Sequence, residues 1–193
     1  MSMKKLLTEI KACNVCAHYL TLGPNPVVTA STTARLLIIG QAPGIKVHQT
    51  GIPWNDASGQ LLREWMDVSP AIFYDEKKIA IAPMGFCYPG KGKNGDLPPR
   101  PECAPLWHAS LLKKMKQVQL ILLIGQYAQR YYLGDTMGKN LTETVRHYKT
   151  YLPLYFPLPH PSPRNRIWLK KNEWFGKKLL PDLKKIVHQV LEL

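Results

Sequence analysis

Apolar residues gather in four short unbroken runs, each closed by glycine, proline or polar residues: ARLLIIG (34 to 40), KIAIAPM (78 to 84), LILLIG (120 to 125) and PLYFPLP (153 to 159). Runs of this length between turn residues predict strands buried on both faces. In the last run prolines stand at the ends and at one interior position, which predicts a sheet edge. Between the runs the apolar spacing becomes helical, in GQLLREWM (59 to 66), APLWHASLLKKMKQ (104 to 117) and QYAQRYYL (126 to 133). Asn140 and Glu143, three residues apart, provide a start signal for a helix over LTETVRHYKTY. A long basic amphipathic helix is predicted from Trp168 to Leu193, bent or restarted at Pro181. The segment YPGKGKNGDLPPRPE is too rich in glycine and proline for regular structure to be expected.

Strands alternating with helices predict an α/β protein, a three-layer α/β/α sandwich with a central four-stranded, mainly parallel sheet, in a single domain over residues 1–193. Ligands of such sheets sit at the carboxyl ends of the strands. The turns GQAPG (40 to 44), GFCYPG (85 to 90), GQYAQ (125 to 129) and HPSPRN (160 to 165) all fall there. The two most unusual of them, GQAPG and HPSPRN, are therefore expected to converge on one cleft.

Charge narrows the ligand. Lys and Arg number 26 against 13 Asp and Glu, a formal net charge of +13, in a chain of 193 residues that is 45% hydrophobic. So positive a surface suits a polyanion. The first residues, MSMKKLLTEIKAC, hold too short an apolar stretch for a signal peptide, and no segment reaches the length of a membrane span. The expected location is the cytoplasm, where the four cysteines stay reduced and serve as ligands or reactive groups.

GQAPG followed by TGIPWNDASG, with HPSPRN near the end, resembles the uracil-DNA glycosylase superfamily over about Cys13 to Phe175. That resemblance implies a monomeric base-excision repair enzyme in which the two turns face each other across a base flipped out of DNA, and water rather than a lysine attacks the sugar. His160 then matches the histidine that donates to the base oxygen as negative charge develops on the leaving group. Pro43 and Gly44, with Ala42, would bring the backbone of the first turn close to the base. Relatives place an Asp or Asn at the third turn position to hold the water; Ala42 can do neither. DASG (56 to 59) resembles the broad-specificity fifth family, which points to Asp56 as the water-activating carboxylate, with Gln41 and Asn55 as further polar candidates. An Asp three residues before Gly59 and an apolar helix is equally a helix N-cap. Trp54 stands where relatives carry an aromatic that stacks on the extracted base, an interaction of about 1–3 kcal/mol.

Uracil-specific relatives carry an asparagine after the second strand to read the base. Ala82, Pro83 and Met84 occupy that place here, so a broader set of deaminated bases is expected, read by backbone groups of Met84 and Gly85. Ser162, Pro163, Arg164, Asn165 and Arg166 fall where relatives push a loop into the duplex. Lys170, Lys171, Lys177 and Lys178 continue the positive charge toward phosphates. A non-catalytic relative that binds damaged bases without cutting remains the alternative.

Cys13 and Cys16 form a CxxC, while Cys87 and Cys103 bracket the proline-rich loop. Two such distant pairs can converge on one centre, either a [4Fe-4S] cluster or a tetrahedral zinc. The complete set, with its PP…PEC pattern, resembles the iron-sulfur families four and five, which implies a cluster that staples a long irregular loop.

Overall fold

A computed structural model describes residues 2–93 and 95–193. Its elements, in chain order, begin with α1 (Met3–Lys11), β1 (Leu36–Ile39), α2 (Ile45–Thr50), α3 (Ala57–Met66), α4 (Pro70–Phe73) and β2 (Ile79–Ile81). There follow β3 (Lys91–Gly92), β4 (Gly95–Asp96), α5 (Cys103–Lys114), β5 (Leu120–Ile124), α6 (Gln126–Leu133) and α7 (Leu141–Arg146). The chain ends with β6 (Tyr155–Leu158), α8 (Arg166–Lys171) and α9 (Leu180–Leu191). The four long apolar runs form one sheet in the order β2-β1-β5-β6, and every pairing in it is parallel.

The pleat of the two central strands divides the interior in two. Leu36, Ile38, Leu120, Leu122 and Ile124 point to one side, against Leu62, Trp65 and Met66 of α3 and Leu183, Val187 and Val190 of α9. Their neighbours Leu37, Ile39, Ile121 and Leu123 point to the other, against Leu6 and Ile10 of α1, Leu111 of α5 and Ala128 of α6. Both faces are covered, which is why these strands read as unbroken apolar runs rather than alternating ones. The result is the expected three-layer sandwich. As anticipated from Pro157, β6 lies at an edge, with Pro157 opposite Leu123. Asn140 caps α7 as its spacing implied: Oδ1 accepts from the Glu143 N–H at 2.9 Å, and Glu143 accepts from the Lys139 N–H at 3.1 Å.

Two expectations need correction. The C-terminal helix does not run unbroken from Trp168 to Pro181. It stops at Asn172, whose buried side chain donates to the Trp168 carbonyl at 2.8 Å and accepts from Trp174 Nε1 at 3.0 Å. The chain is helical again from Glu173, passes through a π-helical turn, Phe175–Leu179, and continues as α9 with Pro181 directly after that turn. The loop after β2 also contains regular structure. Lys91 pairs with Asp96 and Gly92 with Gly95 in a two-stranded antiparallel ladder. No helix among the described residues is long and apolar enough to cross a membrane.

One buried polar group ties α5 and α6 to the sheet end. His108 is 3% exposed; its Nε2 lies 3.0 Å from the Pro83 carbonyl and its Nδ1 2.6 Å from the Tyr132 hydroxyl. Because a carbonyl can only accept, Nε2 carries the proton and Nδ1 accepts from Tyr132. Burial pushes His108 down to about 4, only partly opposed by the Pro83 contact. The unfolded chain binds this proton near pH 6.5, so stability is whole above that pH and is lost as pH falls toward 4, by about 3 kcal/mol for this group. Urea titrations from pH 7.5 to 4 should therefore show a fall in stability that is smaller in His108→Gln.

Candidate active site

At the carboxyl end of the sheet, turns from β1 and β6 form opposite walls of one cavity of about 480 Å³, within the usual range of small-ligand sites. Gln41, Ala42, Pro43 and Gly44 line it from the first turn, Trp54, Asp56 and Ser58 from the segment leading into α3, and His160, Ser162, Pro163 and Arg164 from the last turn. The first turn is held from behind by two backbone bonds: the Met84 N–H donates to the Gly40 carbonyl and the Gly85 N–H to the Gln41 carbonyl, both at 2.9 Å. Backbone groups of Met84 and Gly85 were expected to read a base; their amides brace the turn. Both residues are buried outside the cavity lining, and their donors are spent on the turn.

Trp54 is placed by two glycines. A Cβ on Gly40 would stand 2.7 Å from Trp54 Cζ2, and one on Gly59 only 1.8 Å from the Trp54 carbonyl oxygen. The Trp54 backbone has φ 56, a conformation that costs a bulky residue free energy. Its carbonyl is bonded by Arg63 Nη1 and the Tyr74 hydroxyl, each at 3.4 Å, and the Arg63 guanidinium rests over the Phe73 and Tyr74 rings. The half-buried indole thus faces His160, with ring centroids 5.6 Å apart and planes tilted by 32°.

Asp56 both caps a helix and faces the cavity. Its Oδ1 caps α3 by accepting the Gly59 N–H at 2.8 Å, and the carboxylate also lines the cavity. The cap fixes the orientation of the carboxylate without hiding it. Burial holds His160 below the ordinary histidine range, while the negative charge of Asp56 pulls the other way. Burial is the larger effect, so near neutral pH His160 is an uncharged imidazole offering a single N–H.

The remaining expected contacts divide. The Ser162 hydroxyl accepts from the Arg164 N–H at 3.2 Å, and Arg164 reaches over the hairpin. Asn165 turns inward and donates to the His160 carbonyl at 2.7 Å, so it holds the turn rather than presenting itself to a partner. Arg166 and Lys170 are exposed on α8, as are Lys171, Lys177 and Lys178 beyond them. Ile167, among them, is 70% exposed. The sequence pattern singled out neither Ile167 nor Asp96 and Val27, the last two of which also line the cavity. Asn-Gly at 94–95 is a hairpin signal that could have pointed to Asp96.

All four cysteines are free thiols; Cys16, Cys87 and Cys103 are buried and Cys13 is half-buried. Burial pushes the Cys87 thiol up to about 11 and Cys103 to about 12. Cys87 also feels Cys13 and Cys16, and Cys103 feels all three others, so both pairs converge. The backbone amide of Asn25 bonds Cys87 and that of Phe86 bonds Cys103. Yet among the described residues no three His, Cys, Asp or Glu side chains are set to hold a single metal ion.

The family model described as the uracil DNA glycosylase superfamily matches residues 27–184. Among solved structures, the crystal structure of wild-type Pedobacter heparinus SMUG2 is similar at 13% identity with a TM-score of 0.36, covering 83% of this chain and 74% of that one.

The glycine seats predict a sharp asymmetry among glycine substitutions. Gly59→Ala should lower stability by at least about 2 kcal/mol and shift tryptophan fluorescence, because a backbone carbonyl must move. Gly176→Ala, with nothing within 4 Å of the added methyl, should change thermal unfolding very little.

Proposed function

The chain belongs to the uracil-DNA glycosylase superfamily, and from that premise we propose that it hydrolyses the N-glycosidic bond of uracil or a related deaminated base in DNA. The observation that carries this reading is the shared cavity: Gln41, Trp54, Asp56 and His160 line one space with room for a nucleobase. Trp54 supplies a stacking wall that tolerates any base identity. Neutral His160 donates to the base carbonyl oxygen as negative charge grows on it, a contact stronger in the transition state than in the bound substrate. The carboxylate of Asp56 orients water and offsets positive charge on the sugar. Among the described residues no lysine lines the cavity, which supports water as the nucleophile.

At the rim of the cavity and beyond it, Arg164, Arg166 and Lys170 supply contacts to phosphates. Exposed Ile167, at the start of α8, is suited to fill the gap left by an everted nucleotide, since an apolar side chain there gains by leaving water for the base stack.

The cysteines fit a [4Fe-4S] cluster held by Cys13, Cys16, Cys87 and Cys103. The thiol donor set and the two amide contacts to sulfur suit such a cluster. A tetrahedral zinc held by the same four thiolates is the alternative. When bound, the cluster supplies cross-linking between the N-terminal segment and the loop that carries the hairpin. Cys87 and Cys103 bracket that loop.

A panel of duplexes carrying uracil, hypoxanthine, xanthine and oxidised pyrimidines tests the activity directly: release of at least one deaminated base is expected, and release of none rejects the reading. His160→Ala should slow release by roughly 10² while leaving duplex binding nearly intact. Asp56→Asn keeps a good N-cap and removes only the charge, so it should slow release with little change in melting temperature. In the wild type, release should persist as pH falls through 6.5, because lowered His160 keeps its neutral form below the ordinary histidine value. Protein purified without oxygen should be brown and carry about four irons per chain; colourless protein with one zinc would replace the cluster by a single ion.

A further inference from the structure

The cavity contains a second carboxylate that this scheme leaves without a role. Asp96 ends β4 and lines the cavity on the side of the hairpin. Its Oδ1 accepts from the Tyr88 hydroxyl at 3.4 Å. Its Oδ2 lies against the GQAPG turn, 3.6 Å from where a Cβ would stand on Gly44. The neighbouring Gly95 has φ 132, and a Cβ there would come within 2.9 Å of Arg164 Nη1. The hairpin therefore spans the mouth from the β1 turn to the β6 turn, resting on both, and it carries one anionic acceptor into the space between them.

An ionised carboxylate can accept hydrogen bonds but not donate them. On the pairing edge of a nucleobase this property distinguishes two chemical classes. The ring nitrogen N3 of cytosine and N1 of adenine is a bare acceptor. In uracil and hypoxanthine the corresponding nitrogen carries a proton, as N3 of thymine and N1 of guanine already do. Hydrolytic deamination makes that change: water replaces the amine, ammonia leaves, and the ring becomes a lactam with an N–H donor. A carboxylate facing this nitrogen gains a charge-assisted bond with the deaminated base. Facing the parent base it meets a lone pair, and both groups stay unsatisfied in a desolvated site. Neither Ala82, Pro83 nor Met84 carries a side chain able to make this distinction, and the amides of Met84 and Gly85 are already engaged.

We propose that Asp96 reads the pairing-edge ring nitrogen of the bound base, which separates a deaminated base from its amino parent, uracil from cytosine and hypoxanthine from adenine. This rests on the reading that the cavity takes an everted base. It assigns base discrimination to the hairpin between Cys87 and Cys103.

The test measures base recognition apart from bond cleavage. Duplexes carrying 2′-fluoro-arabino-uridine, which resists hydrolysis, and the same nucleotide methylated at N3 are titrated with full-length protein by fluorescence anisotropy. Wild type should bind the unmethylated duplex at least about tenfold more tightly, the scale of one charged hydrogen bond. Asp96→Ala should bind both alike. Asp96→Asn, whose amide can turn either oxygen or nitrogen toward the base, should narrow the preference for uracil over cytosine. Melting curves of both variants establish that they fold. A wild type indifferent to N3 methylation, or Asp96→Ala with the preference intact, overturns the assignment. A wild type that prefers the unmethylated duplex yet releases no base from cleavable DNA rejects the glycosylase reading and leaves base reading by Asp96 standing.

Discussion

The cavity depends on Trp54 being seated against two residues that have no side chains. Its indole lies on Gly40, at the end of β1, and its carbonyl lies against Gly59, in the first turn of α3. Such contacts are possible only where Cβ is missing, so the first strand, the stacking wall and the helix that presents Asp56 are locked to one another. The positive φ of Trp54 is the strain this arrangement requires, and the Arg63 and Tyr74 contacts to its carbonyl offset it. Pro53 is buried beside it and restricts the chain's approach.

The electrostatics run in opposite senses inside and outside. The chain's formal charge is +13, and exposed Arg164, Arg166 and Lys170 flank the mouth. Within the cavity the ionisable groups are Asp56, Asp96 and His160, with Arg164 at the rim. The outer field draws in and orients a polyanion over distances of about a Debye length. The inner carboxylates repel phosphate while favouring a neutral base with an N–H or a sugar gaining positive charge. On the proposed reading, charge of one sign gathers DNA and charge of the other selects what enters.

The sequence made the sheet legible because β1 and β5 are covered on both faces, and continuous burial leaves a continuous apolar run. The convergence of GQAPG and HPSPRN was legible for a topological reason: parallel strands all end on the same side. The hairpin was not, because strands of two residues carry no periodicity and their glycines read as irregular chain. Nor did the sequence show that the helix stops at Asn172, since a buried amide that bonds its own helix and a neighbouring indole looks like any polar residue on an amphipathic face. Backbone donors such as those of Met84 and Gly85 have no sequence signature, and only the fold reveals that they brace the turn. The dual position of Asp56 explains why its two readings could not be separated by pattern: capping a helix and facing the cavity need the same residue at the same place.

Because the sheet is wholly parallel, its opposite rim carries only connections that enter strands. Thr32 and Thr33 before β1, Glu76 and Lys77 before β2, and Lys116 and Gln117 before β5 are all exposed there, on the far side of the sheet from the cavity. That rim is the natural place to attach a dye, a surface tether or an inserted peptide, since a bulky addition there stands clear of any duplex lying across the mouth.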